Sequence, residues 1–141
     1  MKPISWTDDL NLDYEPLDRA HRDFVGALAT AQTADDAALP EAWTQVVEHA
    51  RAHFDLEDAW MRDTRFAAAA SHIMQHRVVL NVLREGQVHA RQGRCAAVRE
   101  MADELAAWFT KHTQAQDAAL ALHMRRLETL ATPPAQRHKA P

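Results

Sequence analysis

The segment ASHIMQHRVV, residues 70–79, places His72 and His76 four positions apart beside apolar residues. Side chains four apart lie on the same face of an α-helix, one turn above the other. The neighbouring Ile73, Val78 and Val79 indicate that this face points into the protein. The segment therefore predicts a helix that carries two imidazoles toward the core, where they need polar partners.

The composition is typical of a single globular domain that is rich in helix-forming residues. The 141 residues are 47% apolar and 26% charged, with only three glycines. The net charge of −4, without a basic block, argues against binding to nucleic acid or anionic membranes. A single cysteine, Cys95, excludes an internal disulfide, and no apolar run is long enough for a membrane span or signal peptide. We therefore expect a cytoplasmic protein with no membrane span.

Four segments of the chain carry apolar residues at the spacing of an amphipathic helix, and turn signals separate them. Pro16 and Pro40 stand at the predicted starts of the first two helices, where proline is well tolerated. The third helix is predicted from about Ala68, and Gly93 marks its end before the fourth. Residues 1–15 lack a helical period and are predicted to form an extended arm.

Four amphipathic helices with short connections predict an all-α protein with an antiparallel up-down-up-down four-helix bundle. The bundle and its N-terminal arm are predicted to span residues 1–130. Residues 131–141 contain two adjacent prolines and no period, which predicts a disordered C-terminal tail.

Each predicted helix has a histidine in its apolar stripe, where leucine would be usual. One such histidine is more often a satisfied core residue than a ligand. In an antiparallel hairpin, however, residues equally far from the turn lie at the same depth. This rule brings seven polar residues to one level of the bundle: His21, His53, Glu57, His72, His76, His112 and Asp117. A buried polar group without a partner costs about 1–3 kcal/mol, so the set favours a metal with nitrogen and oxygen ligands.

Asp117 does not fit the α-helical period of the fourth stripe. It follows His112 by five positions, which corresponds to about 140° around an α-helix. The helical period alone therefore favours Gln116 as the inward-facing residue.

The ordered pattern H…HxxxE…HxxxH…HxxxxD resembles that of the hemerythrin family, in its bacterial single-domain form. The segments that carry it are LDRAHRDF, HFDLE, HIMQH and WFTKHTQAQD, and the resemblance extends from residue 6 to about residue 125. Trp6 also resembles the tryptophan of the family's N-terminal arm. The resemblance favours Asp117 over Gln116 as the ligand from this part of the fourth helix.

The resemblance implies two iron ions bridged by Glu57, by Asp117 and by a solvent-derived oxo or hydroxo group. It divides the five histidines between the ions: His72, His76 and His112 on one iron, and His21 and His53 on the other. With three shared bridges, the second iron has one ligand fewer and keeps one position open to a small diatomic molecule. The family function implied is reversible dioxygen binding for carriage, storage, delivery or sensing.

Four aromatic residues are predicted to surround that open position, although each could also be an ordinary core residue. They lie within about one helical turn of a ligand histidine: Phe24, Phe54, Trp108 and Phe109. Such a pocket would limit the entry of water and protons. Beyond the seven residues, the stripes offer no inward carboxylate or tyrosine that suggests a general acid.

Two other functions stay open. The same site could belong to a di-iron enzyme that acts on peroxide, dioxygen or nitric oxide, although the E-x-x-H repeats of ferritin-like oxidases are absent. The bundle could instead hold zinc for structural purposes. Dioxygen is the expected small-molecule partner, and the sequence identifies no oxygen-receiving or signalling protein.

Three further polar residues lie on the predicted helices that carry the ligands. Asp18, one turn before His21, could orient that imidazole or serve as an acid at the helix start. His49 could support the site but more often would be a boundary residue. His123 lies about 16 Å along the helix from His112, too far to share a metal.

Overall fold

Helices dominate the computed structural model, which describes residues 2–131 of the chain. The α-helices are α1 (Glu15–Thr33), α2 (Leu39–Asp63), α3 (Ala69–Arg91), α4 (Cys95–His112) and α5 (Ala118–Ala131). A 3-10 turn, Asp8–Leu10, precedes α1, and a π-helical segment, Thr113–Asp117, joins α4 to α5. The described residues contain no β-strand. The predicted tail, residues 131–141, lies outside the described residues except for Ala131, which ends α5.

The predicted antiparallel four-helix bundle is confirmed. Backbone angles at Thr113 and Ala118 stay in the right-handed helical region, so α4, the π segment and α5 continue as one fourth helix. Each helix packs against the next along the chain, and α1 also packs against α4. The short connections at residues 34–38, 64–68 and 92–94 reverse the chain between successive helices.

A buried carboxylate organises the start of α1. Asp18 accepts hydrogen bonds from the backbone N–H groups of Leu12 and Tyr14, at 2.8 and 3.1 Å. These groups precede the first helical turn and therefore need partners from outside the helical hydrogen-bond pattern. Pro16 stands in the first turn, where its missing N–H breaks no helical hydrogen bond. Asp18 thus acts as an acid at the helix start and does not orient His21.

A layer of buried polar residues divides the apolar core into two clusters. This polar layer consists of His21, His53, Glu57, His72, His76, His112 and Asp117. The larger cluster, which includes Phe24 and Trp43, lies toward the α1–α2 connection. The smaller cluster, which includes Leu17 and Met61, lies toward the α2–α3 connection. All four helices of the bundle therefore bury polar groups at the same depth, between apolar residues on both sides.

Val78, which flanks the two histidines in the sequence, does not face the core. Its side chain is 56% exposed, whereas Ile73 is 8% exposed. Two positions along a helix correspond to about 200° of rotation, so Val78 lies across the helix from His76. Met74 and Val82 share this exposed face of α3. None of the described helices is long and apolar enough to cross a membrane.

Candidate metal centre

The structure brings together all seven polar residues that the sequence singled out. Every helix of the bundle contributes to the polar layer, and each of its residues is at most 5% exposed. The contributions are His21 from α1, His53 and Glu57 from α2, His72 and His76 from α3, and His112 and Asp117 from the fourth helix.

Glu57 directs its two carboxylate oxygens to different histidines. Oε2 lies 3.6 Å from Nε2 of His21 and 3.6 Å from Nε2 of His53. Oε1 lies 3.5 Å from Nε2 of His72 and 3.7 Å from Nε2 of His76. The carboxylate therefore stands between two sets of imidazoles, with one oxygen toward each set.

Asp117 divides its oxygens in the same way. Oδ2 lies 3.2 Å from Nε2 of His21, whereas Oδ1 lies 2.9 Å from Nε2 of His72 and 3.1 Å from Nε2 of His112. Both carboxylates thus divide the imidazoles into the same two groups. We call His72, His76 and His112 the three-histidine group, and His21 and His53 the two-histidine group.

The π-helical segment explains how Asp117 reaches the layer. The N–H of Ala118 donates to the carbonyl of Thr113, five residues before it, which is the hydrogen bond of a π-helix. This wider turn brings residues five apart closer to one face than an α-helix would. Asp117 is consequently fully buried, while Gln116 is partly exposed. The α-helical period that favoured Gln116 was wrong because the helix is not α-helical here.

Many atoms of the polar layer lack a hydrogen-bond partner among the described residues. Among these atoms are Nε2 of His21, His53 and His76, and both carboxylate oxygens of Glu57 and Asp117. Nε2 of His72 lies 3.0 Å from Nε2 of His112, so two ring nitrogens converge on one point. Unpartnered buried polar atoms cost about 1–3 kcal/mol each. Metal ions that take nitrogen and oxygen ligands fit this donor set, because they would satisfy these atoms together.

The possible ligand atoms form two overlapping clusters. One comprises Glu57, His72, His76, His112 and Asp117, and the other comprises His21, His53 and Glu57. Within each cluster, the ligand atoms lie within 4.8 Å of one another. The shared Glu57 and the contact between Asp117 and His21 join the clusters. The arrangement therefore suits two neighbouring cations, and its division of the histidines is the one that the resemblance implies.

The two carboxylates also control the pKa of the imidazoles between them. Burial disfavours the charged form of His21 and His72, but contacts with Asp117 and Glu57 outweigh it and raise the pKa of both to about 9. Burial likewise opposes ionisation of Asp117, yet contacts with the surrounding histidines hold its pKa well below the usual range. Burial and the charge of Asp117 raise the pKa of Glu57. In the metal-free protein, protons therefore supply positive charge between the carboxylates.

His53 and His76 differ from His21 and His72 in the direction of their pKa shifts. Burial and the neighbouring His72 lower the pKa of His76 to about 3. Burial and the charge of His21 hold the pKa of His53 well below its usual value. Both imidazoles are thus neutral near pH 7, which is the form that can donate a nitrogen lone pair to a metal.

Two side chains contact outer nitrogens of the three-histidine group, that is, Nδ1 atoms, whose rings direct Nε2 toward the carboxylates. Sequence reasoning missed both side chains. Nδ1 of His76 lies 2.7 Å from Oδ1 of Asp58, and Nδ1 of His112 lies 3.1 Å from Oε1 of Gln75. Gln75 and His112 are about equally distant from the turn at Gly93, so the depth rule could have found this pair. No periodic signal marked Asp58, which lies one residue beyond Glu57 and outside the apolar stripe of α2.

Three of the four predicted pocket aromatics contact the two-histidine group. The ring centroids of Phe54 and Phe24 lie 4.6 and 5.2 Å from that of His53. Phe109 packs edge-on against His21 with a centroid distance of 5.2 Å. All three phenylalanines are buried, so this side of the polar layer is walled by apolar rings.

Trp108 packs against the same apolar cluster as the three phenylalanines, but it contacts the three-histidine group. Its ring stacks on His112 at a centroid distance of 4.4 Å and meets Phe54 edge-on at 6.3 Å. The indole is partly exposed. Trp108 therefore covers the three-histidine group, while the position predicted to stay open belongs to the two-histidine group.

The remaining candidate histidines have other surroundings. His123 Nε2 lies 2.9 Å from Oγ1 of Thr64, which ties α5 to the end of α2. His49 is partly buried beside a surface groove between α1 and α2 that Arg22 and Gln45 also line. His123 therefore links helices, and His49 occupies the boundary position that the sequence favoured.

Comparison with known proteins agrees with this site. A family model described as the Hemerythrin HHE cation binding domain matches residues 12–133. A bacteriohemerythrin from Ralstonia nicotianae is 31% identical over 117 residues, which cover 83% of this chain and 85% of that protein. Another from Stenotrophomonas maltophilia is 28% identical over 125 residues, covering 86% and 81% of the two chains. A third, from Pseudomonas aeruginosa, is 25% identical over 122 residues, covering 84% and 79%. No solved structure is a significant match.

The family match spans most of the chain and includes every residue of the polar layer. The chain therefore belongs to the hemerythrin family.

Proposed function

We propose that this protein holds two iron ions and reversibly binds dioxygen, for carriage, storage, delivery or sensing. The observation that carries the proposal is the way in which Glu57 and Asp117 divide their oxygens between two groups of histidines. A carboxylate placed in this manner can bridge two cations. The names of the bacteriohemerythrin relatives support the same function.

Each residue of the polar layer has a place in this proposal. The three-histidine group would hold one ion, the two-histidine group the other, and Glu57 and Asp117 would bridge them together with a solvent-derived oxo or hydroxo group. When bound, a pair of ferrous ions supplies the two electrons that dioxygen takes up on binding and returns on release. The two-histidine group offers one ligand fewer and so leaves room for a small diatomic molecule.

The surroundings of the two-histidine group favour binding over further reaction. Phe24, Phe54 and Phe109 surround its imidazoles with buried apolar rings. Such walls exclude water and restrict the supply of protons, which cleavage of an oxygen–oxygen bond would require. The additional carboxylate, Asp58, contacts His76 in the three-histidine group and is not directed at the two-histidine group. We therefore favour dioxygen binding over an enzymatic function at this site.

Anaerobic loading with ferrous iron tests the proposal. We expect two irons per chain and a visible charge-transfer band that appears in air and disappears when oxygen is removed. Turnover with peroxide or nitric oxide, or decay to a ferric form without oxygen release, would instead indicate an enzyme. Absence of iron uptake would overturn the assignment.

Two histidines of α2 provide a matched pair of variants. His53→Ala removes a residue of the two-histidine group, so the variant should lose reversible oxygen binding. His49→Ala removes a partly buried imidazole one turn before it in the same helix and should bind iron and oxygen as the wild type does. Equal behaviour of the two variants would contradict the proposed role of His53.

A further inference from the structure

Asp58 links the polar layer to a cleft at the protein surface. Its Oδ1 lies 2.7 Å from Nδ1 of His76, and its side chain is 15% exposed. The other ring nitrogen, Nε2, lies 3.7 Å from Oε1 of Glu57. Because an ionised carboxylate can only accept a hydrogen bond, Nδ1–H of His76 donates to Asp58. The lone pair of Nε2 is then directed into the polar layer.

The surface cleft distinguishes Asp58 from the carboxylates inside the layer. The cleft has a volume of about 200 Å³ and lies between α2 and α3. Arg62 and Arg77 line it together with Asp58. The two guanidinium groups provide positive charge beside the carboxylate. Asp58 can therefore add negative charge behind His76 without being buried among the ligands themselves.

The two-histidine group has no comparable contact. Nδ1 of His21 and Nδ1 of His53 have no hydrogen-bond partner among the described residues. In the three-histidine group, His112 donates from Nδ1 to the neutral amide oxygen of Gln75, at 3.1 Å. His76 alone among the layer's histidines has a carboxylate at its outer nitrogen in the described structure. Nδ1 of His72 also lacks a partner among the described residues, so the groups differ by the contacts of His76 and His112.

We propose that Asp58 is a positioning residue which fixes His76 and makes the three-histidine group the tighter of the two cation positions. A carboxylate at Nδ1 holds the ring orientation and increases the basicity of Nε2, and loss of such a partner commonly weakens metal binding by about 10- to 100-fold. The three-histidine position consequently fills first when metal is limiting. This inference rests on the proposed function, because it requires two cation positions.

Zinc titration of the metal-free protein tests the order of filling. Zn²⁺ is the probe because it is diamagnetic and redox-inert. Calorimetry should resolve a tight and a weaker step. Imidazole NMR resonances of His72, His76 and His112 should shift with the first equivalent, and those of His21 and His53 with the second. If the resonances of His21 and His53 shift first, the inference is overturned.

Asp58→Asn tests the role of the carboxylate, because it removes the charge and keeps the shape of the side chain. The tight step should weaken by at least about tenfold, while the weaker step should stay unchanged. Asp58→Glu restores the carboxylate and should bind more like the wild type than Asp58→Asn does. Asp55→Asn is the matched control, since Asp55 lines the same cleft but is exposed and paired with Arg51. It should bind zinc as the wild type does.

The outcomes separate this inference from the proposed function. An unchanged tight step in Asp58→Asn, or equal weakening of both steps, overturns the role of Asp58 while two cation positions remain. Failure of the wild type to bind a second ion overturns the di-iron proposal as well. If Asp58→Asn does not fold, the metal-free wild type still provides a test. Its His76 Nδ1 proton should appear as a strongly downfield resonance, and a His76 protonated only at Nε2 would contradict the proposal.

Discussion

Nε2 of His112 lies 3.1 Å from Oδ1 of Asp117, although five positions separate these residues along a helix. The π-helical segment between them makes this contact possible. The π-helical geometry therefore determines where the carboxylate lies. A carboxylate at the neighbouring position would not reach the polar layer.

Moving the carboxylate from residue 117 to residue 116 tests this dependence on helix type. Asp117→Asn should abolish binding of a metal pair, because one of the two carboxylates placed between the histidine groups is lost. Adding Gln116→Asp to that variant should not restore the pair, since residue 116 is partly exposed and outside the layer. Metal content per chain, measured after gel filtration, gives the result. Gln116→Asp alone is the control and should retain both ions; rescue by the double variant would show that the layer is less strictly ordered.

Metal removal should lower thermal stability markedly. The layer's unpartnered nitrogen and oxygen atoms destabilise the metal-free bundle, and a ligand at 100 times its Kd adds about 2.7 kcal/mol per site. For a chain of this size, we expect Tm to rise on the order of 10 °C when metal binds. Calorimetry of metal-free and loaded protein provides the measurement, with His49→Ala as a variant that should keep the full increase. An equal Tm in both states would argue against a bound cation in the layer.

Two helical glycines should respond to alanine with opposite signs. A Cβ at Gly86 would lie 2.5 Å from Nε1 of Trp43, a fully buried indole that donates to the carbonyl of Leu83. We expect Gly86→Ala to reduce the free energy of unfolding by about 1–3 kcal/mol, because the packed ring has to shift. Denaturant unfolding measures the change.

Gly26→Ala is the control for that substitution. A Cβ at Gly26 meets nothing within 4 Å, and alanine is the better helix former by about 0.5–1 kcal/mol. This variant should therefore be slightly more stable than the wild type. Destabilisation of similar size at both positions would mean that the contact with Trp43 is not the cause.

Asp18→Ala should affect stability and leave metal content unchanged. The substitution removes the acceptor for the N–H groups of Leu12 and Tyr14, and we expect a loss of about 1–3 kcal/mol at pH 7. Chemical denaturation and metal analysis of the same sample measure the two effects. Asp23→Ala, an exposed position of α1, should change neither. Loss of iron in Asp18→Ala at full stability would instead favour a role beside His21.

The sequence was sufficient for the architecture because its signals are simple and repeated. Apolar spacing, prolines at helix starts and Gly93 at a turn predicted the four helices. The depth rule then brought His21, His53 and the other polar residues to one level. It worked because short connections force successive helices to run antiparallel.

Features that depend on local geometry were less accessible from the sequence. The α-helical period misjudged Gln116 and Asp117 because it contains no information about a π-helical turn. Asp58 was missed because a partly exposed acid beside a cleft has no periodic signature. Each of these errors concerns the direction of a single side chain within a correctly predicted helix.

Because the polar layer divides the apolar core, the cooperativity of unfolding should depend on bound metal. Phe24 and Trp43 belong to one cluster and Leu17 and Met61 to the other, with the charged residues between them. Ligand bonds from all four helices would couple the two clusters, so that they unfold as a single unit. Without metal, local opening at the layer should let the smaller cluster exchange its amide hydrogens sooner than the larger one. The bound ions would then determine whether this domain behaves as one folding unit or as two.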